Sequence, residues 1–405
     1  MNKLLFSLFA ICISTLCSAQ YKNDNVLYKT VYTQDLCDAL AKNPGYLILD
    51  VRTKGEYEDT SSMGMNIGRF KDAKNINVRE LGQHINELQA YKDQPVFVYC
   101  SHSQRSRRAS KMLADSGFTK VYNINGGMTG LRQLPEDNYA CLYKQLTTKN
   151  NYTLLSAAEF CKKVSSKNIY LLDVRDDSSF DHISRDAKSN AIGVFNGFEH
   201  HSLADINSGK AVIPKGKEII ITDIYGDDAV KAAEMLVKNN YPKVSVLLEG
   251  MDRILQDNNN DLSCMRSSYR SPVNYNIVSA QLLQSWMNNN SDYVFIDIRT
   301  TDEFENKSKN SWQNIGHLQN AIHVATADLN TQAATIEQYK GKPVLVYGFG
   351  SSTTAYEAAG ILVSMGFKNV NVLQGGLFNI GWTAANVKGY SSLASLRIDI
   401  PKDNL

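Results

Sequence analysis

The 405-residue sequence lacks a stretch that reads as a membrane span. Its N-terminal apolar run, Leu4 to Leu16, is about 13 residues, short of the ~18 or more that a bilayer needs. It lacks a large net charge: 43 Lys and Arg stand against 41 Asp and Glu, which argues against a polyanionic partner. No basic stripe interleaved with aromatics occurs, so nucleic-acid binding is not expected. No Cys/His spacing of a zinc site is present, and no Walker or dinucleotide fingerprint. Neither a metal nor an organic cofactor is therefore expected. One local absence is informative in a different way. Between Asp93 and Asp115 there is no acidic residue, while Arg105, Arg107, Arg108 and Lys111 crowd that interval.

With 43% hydrophobic and 21% charged residues, the composition is that of a globular protein, and the length suggests two or three domains. The N-terminus reads as a signal peptide over 1–19. Lys3 supplies a positive n-region, Leu4 to Leu16 the apolar segment, and Cys17-Ser18-Ala19 the small residues before Gln20. Export to a periplasm or outside the cell is expected. Two of the seven cysteines would leave with that peptide, and the remaining five face an oxidising compartment. Cys37 and Cys161 fall at the position that Leu283 fills further on, which reads as an inert, buried core site. Cys141 and Cys264 each lie 14 residues after a corresponding glycine, in two connectors. They are read as unpaired caps or, alternatively, as a disulfide joining the connectors.

What dominates is an internal repeat. LILDVR, LLDVRD and FIDIRT place Asp50, Asp173 and Asp297 at intervals of 123 and 124 residues. Each ends an apolar run that suits a central parallel strand. Each is preceded by a helix start, at Thr33, at Ser156 (with Glu159 in capping-box spacing) and at Ser279. A second apolar strand follows in every unit (PVFVYC, EIIITD, PVLVYG), then an amphipathic helix, then a strand ending at Gly127, Gly250 or Gly376. Strands alternating with helices at this rhythm imply α/β architecture, three times over, with helices on both faces of a parallel sheet. The connectors are polar without being low-complexity, which predicts closely spaced units.

The three units differ in the loop after the second strand. In unit one a strand over Pro95 to Tyr99 runs into Cys100, and a basic helix is expected from about Ser106. A thiol at a strand end, facing a helix N-terminus and guanidinium groups, lies where a thiolate is electrostatically favoured. Unit two aligns without a gap as Asp223, Ile224, Tyr225, Gly226, Asp227, Asp228. Its acids repel an anion, and a solvated loop is expected there rather than a cation site. Unit three reads Gly348, Phe349, Gly350, Ser351, Ser352, Thr353, Thr354, one residue longer, with neither cysteine nor arginine.

These marks together resemble the rhodanese-like family of sulfurtransferases, over nearly the whole mature chain and in three copies. The resemblance rests on the DVR strand ends, on the glycines closing each unit, and on C-x4-R-S in unit one. It rests also on IGRFKDAKNI, FDHISRDAKSNAI and IGHLQNAI in the place of the family's Gly-His-Ile-x-Gly-Ala-x-Asn element. Arg69 stands where the family has that histidine, which His182 and His317 are read as keeping. The resemblance implies rhodanese domains at 26–138 (catalytic), 150–258 and 273–387 (both inactive), with a C-terminal tail over 388–405. It implies Cys100 as the persulfide-forming nucleophile, with Ser101, His102, Ser103, Gln104, Arg105 and Ser106 binding a small sulfur-donor anion. The expected reaction is that of a thiosulfate sulfurtransferase, which moves sulfane sulfur to a thiophilic acceptor. Two alternatives stay open. One is a non-enzymatic envelope scaffold that binds a protein partner through units two and three. The other is a phosphatase or arsenate reductase of the same fold, disfavoured because such loops carry five residues between Cys and Arg and this one carries four.

Overall fold

A computed structural model describes residues 23–62, 66–136, 139–164, 166, 168–256, 269–290 and 292–401. The expected signal peptide and Cys264 lie outside them. Each unit holds one five-stranded sheet, and every pairing within the three sheets is parallel. In unit one the spatial order is Lys29–Tyr32, Val121–Asn125, Val96–Tyr99, Leu47–Asp50, Lys74–Asn75. Val96–Tyr99, the strand that leads to Cys100, is therefore central and buried at every residue.

Alternation along the strands builds two cores per unit. Ile48, Phe97, Tyr99, Tyr122 and Ile124 pack on one face with Leu36 and Leu40 of helix Leu36–Lys42 and with Met128 and Leu131 of helix Gly127–Arg132. Leu47, Leu49, Val96, Val98 and Val121 pack on the other with Ala109 and Leu113 of helix Gln104–Asp115. Side chains of a strand alternate between faces, so continuous apolar runs are what a doubly covered sheet requires. Units two and three divide in the same way.

The repeated Asp-x-Arg is structural. In each unit the aspartate and arginine form a buried ion pair, at 2.7 Å in Asp50–Arg52, Asp173–Arg175 and Asp297–Arg299. The same guanidinium donates to a backbone carbonyl, of Gly68, Ile192 or Gly316. The strands that follow these carbonyls realign one element of the sequence. Arg69–Phe70, Val194–Phe195 and His317–Leu318 follow the three contacts, and each pairs antiparallel with a later strand: Leu146–Thr147, Tyr269–Arg270 and Arg397–Ile398. Val194, not His182, is thus the unit-two counterpart of His317. His182 lies in a separate turn at φ 61°. Leu146–Thr147, Tyr269–Arg270 and Arg397–Ile398, which lie beyond 138, 258 and 387, thus return to their own units.

The units pack closely. Leu248 of unit two joins the unit-one core, and Ala191 joins that of unit three. Asn125 donates to the Ala385 carbonyl at 3.0 Å, and Gln374 to the Asp252 carboxylate at 3.0 Å.

Candidate functional site

The strand Val96–Tyr99 ends at Cys100, and the helix begins at Gln104, two residues earlier than the sequence suggested. Ser103 makes the turn at φ 80°, a left-handed conformation that a serine adopts only under strain. Packing holds it there. The Ser103 hydroxyl donates to the Ile124 carbonyl and accepts from the Gly126 N–H at 2.6 Å. The Ser106 hydroxyl shares its one proton between Asn123 Oδ1 at 2.6 Å and the Ser103 carbonyl at 3.0 Å. Both serine side chains thus face inward, and only their backbone N–H groups remain for an anion. The far side of the loop is fixed by glycine: the Met128 N–H bonds the Cys100 carbonyl at 2.8 Å, and a Cβ on Gly127 would lie 2.4 Å from that oxygen.

Unit two shows what such a loop can hold. Met251 and Leu377 donate to the carbonyls of Asp223 and Gly348 as Met128 does to Cys100, so Cys100, Asp223 and Gly348 occupy equivalent positions. The Asp223 carboxylate curls back into its own loop and accepts from the backbone N–H groups of Gly226, Asp228 (2.6 Å) and Ala229 (3.2 Å). Three convergent amides at a helix N-terminus make an anion cradle, and this one is filled from within. Asp223 is therefore 5% exposed and departs from the expected solvated loop, whereas Tyr225 and Asp227 of that loop are exposed. Burial pushes its pKa up to about 6 against the three amides. The matching amides around Cys100 are those of Ser103, Arg105 and Ser106.

In unit three the added residue changes the cap. Thr353 precedes helix Thr354–Ser364 in a right-handed conformation (φ −67°), where Ser103 and Gly226 are left-handed. Its loop borders an open cleft of about 490 Å³ lined by Ser351, Ser352 and Thr354, with no thiol.

The basic turn is neutralised from elsewhere. Arg105 donates through Nη1 and Nη2 to both oxygens of Glu56, each at 2.7 Å, and from Nη2 to the Ser101 hydroxyl at 2.8 Å. Those bonds use three of the five guanidinium N–H donors. Its pKa is raised, foremost by the hydrogen bond to Glu56 against burial, with the Cys100 sulfur contributing as well. Burial raises the Glu56 pKa, but hydrogen bonds from Arg105 and Thr53 more than offset it and bring it down to about 2. Arg107 does not face the loop. It is 6% exposed and pairs through Nε with Asp24 and through Nη2 with Asn125. Arg108 is exposed, and Lys111 pairs with Asp115 one turn on.

His102 and Gln104 point to a cleft of about 480 Å³ where all three units meet. His102 Nε2 lies 3.1 Å from Glu249 of unit two and 3.2 Å from Thr129. Sequence reasoning missed Glu56, Asp24, Thr129 and Glu249. Only Glu56 left a local signal, the Thr53-x-x-Glu56 capping box, which forms.

The remaining cysteines correct another expectation. Cys37 is bonded to Cys141, with their Cα atoms 6.3 Å apart, so neither is a free thiol and Cys141 does not join two connectors. Cys161 is disulfide-bonded as well. Among the described residues Cys100 is the free cysteine, and it is 1% exposed.

Among curated proteins, the chain is 38% identical over 80 residues to YqhL of Bacillus subtilis, covering 20% of this chain and 56% of that one. It is 33% identical over 104 residues to the tRNA uridine(34) hydroxylase of Cytophaga hutchinsonii, covering 24% and 31%. The matches thus span about half or less of those relatives. Among solved structures, the thiosulfate sulfurtransferase of Pseudomonas aeruginosa aligns at 16% identity and a TM-score of 0.22, covering 85% of this chain and 66% of that one. The model of the rhodanese-like domain matches residues 33–134, 156–257 and 279–382. Three matches that take up most of the chain and each fall on one of the three units place it plainly: the protein belongs to the rhodanese-like family, with three such domains in tandem.

Proposed function

We propose that the protein is an exported sulfurtransferase in which unit one alone carries sulfur. The observation that carries this reading is the exchange of Cys100 for Asp223 on one loop geometry. In unit two the amides bind a carboxylate that belongs to the chain. In unit one the same position carries a nucleophilic atom, and the matching amides are left for what that atom binds. The Cys100 thiolate attacks the outer sulfur of a thiosulfate-like donor, the S–S bond to the sulfonate breaks, and sulfite leaves with the bonding pair. The Cys100 persulfide then yields its terminal sulfur to a thiophilic acceptor such as cyanide, which regenerates the thiolate. The amides of Ser103, Arg105 and Ser106 stabilise the anionic sulfur. The two Arg105 donors not engaged by Glu56 and Ser101 serve the donor's oxygens. Four residues between Cys100 and Arg105 suit sulfur better than phosphate. Family membership does not by itself set the reaction, since relatives include hydroxylases of tRNA uridine by name.

The test is sulfur transfer from thiosulfate and from mercaptopyruvate, for the wild type and Cys100→Ser. Mass spectrometry of the Cys100 peptide is expected to show one added sulfur atom, lost in the variant. A demonstrably free thiol that takes up no sulfur from either donor rules the reading out. Hydrolysis of aryl phosphates lost in Cys100→Ser would favour a phosphatase instead.

A further inference from the structure

Units one and three place glycine before the closing helix, Gly126 at φ 84° and Gly375 at φ 72°. Unit two has Glu249 there, and its backbone takes the same left-handed turn at φ 59°. A side chain is disfavoured at such a position, so a glutamate held in it calls for a use of the carboxylate. That carboxylate reaches out of its own unit. Oε1 meets His102 Nε2 at 3.1 Å, and Oε2 accepts from Gln133 Nε2 at 3.5 Å, both in unit one. Among the described residues its other charged neighbour is Arg253, on the helix that follows, at 3.9 Å. Burial raises the Glu249 pKa, but His102, Arg253 and Gln133 outweigh this and leave it lowered, so the group faces His102 as a carboxylate.

We infer that Glu249 is a positioning residue for the Cys100 loop, acting through His102, and that unit two is retained in part to supply it. The inference rests on the sulfurtransferase reading above. A carboxylate only accepts, so the hydrogen bond requires a proton on His102 Nε2 and fixes the tautomer and ring plane of the imidazole. Thr129 Oγ1, 3.2 Å from the same nitrogen, braces it from within unit one. His102 is two residues past the nucleophile and lines the cleft where the three units meet. A ring held there presents Nδ1 in one orientation to a donor or acceptor, and a ring released from Glu249 does not.

The test compares E249G, E249Q, H102Q and the double variants in full-length protein, after confirming sulfur uptake on Cys100 of the wild type. E249G restores the residue that the turn prefers, so its Tm should equal or exceed that of the wild type. Its kcat/KM for sulfur transfer should nevertheless fall about tenfold. E249Q keeps an acceptor and should fall less, about threefold. In the H102Q background neither substitution should cost anything further, because the path through the imidazole is already cut. E249Q carries the same cycle if E249G fails to fold. Wild-type turnover in the Glu249 variants, or losses that multiply with H102Q, would overturn the inference while leaving the sulfurtransferase reading in place. No sulfur uptake by the wild type would overturn both.

Discussion

The Glu56 carboxylate holds both terminal nitrogens of Arg105 at 2.7 Å, so the arginine that identifies the loop is already half of an ion pair. Thr53 binds the same carboxylate through its N–H and hydroxyl, which ties the pair to a helix cap. Glu56 is depressed to about 2, so its contribution to stability is fully present above the unfolded value of 4.5 and is lost as pH falls through about 2. E56Q is expected to cost about 2 kcal/mol at neutral pH, discounted because the Arg105 side chain is 34% exposed. Denaturant titrations at several pH values should show the wild type and the variant converging between pH 4.5 and 2. A gap that stays constant would mean that the ion pair is not its source.

Arg105 and Arg107 are expected to separate function from stability. R107A leaves Asp24 buried with the Tyr28 hydroxyl but without its guanidinium partner and should cost about 3 kcal/mol, read from chemical denaturation. The protein that remains folded should still take up sulfur on Cys100. R105A should fold with a smaller loss and transfer sulfur at least tenfold more slowly, by analogy with the removal of an electrostatic donor. Equal effects on transfer would contradict this division.

Removing the internal anion of unit two should open its cradle. D223A leaves the N–H groups of Gly226, Asp228 and Ala229 without their acceptor. Sulfate or thiosulfate should then raise the Tm of D223A more than that of the wild type. The pH dependence provides a second readout. Asp223 is raised to about 6, so its contribution is present below 3.8 and is lost as pH rises through 6. The wild type should lose stability across that window, and D223A should lack that component.

Peptide mapping without reduction should recover Cys37 linked to Cys141, with Cys100 the alkylatable thiol of unit one. The repeat aligns Cys161 with Cys37 and Cys264 with Cys141, and Cys161 is bonded. A Cys161–Cys264 linkage is therefore the expected second product. C141S should cost about 2–5 kcal/mol. Recovery of Cys264 as a free thiol would break the correspondence between the units.

Much of this protein could be read from its residues in order. Apolar runs ending in Asp-x-Arg, helix caps and closing glycines recur at one spacing, and each is a local rule that neighbouring residues satisfy. The three sheets, the alignment of Cys100 with Asp223 and Gly348, and membership in the family follow from that pattern. The sequence also showed a basic turn after Cys100, but not what that turn does. Charge is settled by partners that fold next to it, and these come from far along the chain: Glu56 for Arg105, Asp24 for Arg107, Glu249 for His102. The same holds for the Cys37–Cys141 bond, whose halves are 104 residues apart. His182 was misplaced because a motif was matched by composition, whereas the position is defined by the antiparallel pair that its strand makes with a later one. Local propensity and periodicity act within a few residues, so the sequence alone determined the units. The ion pairs and shared walls between and within those units depend on distances in space, and only the tertiary structure decided them.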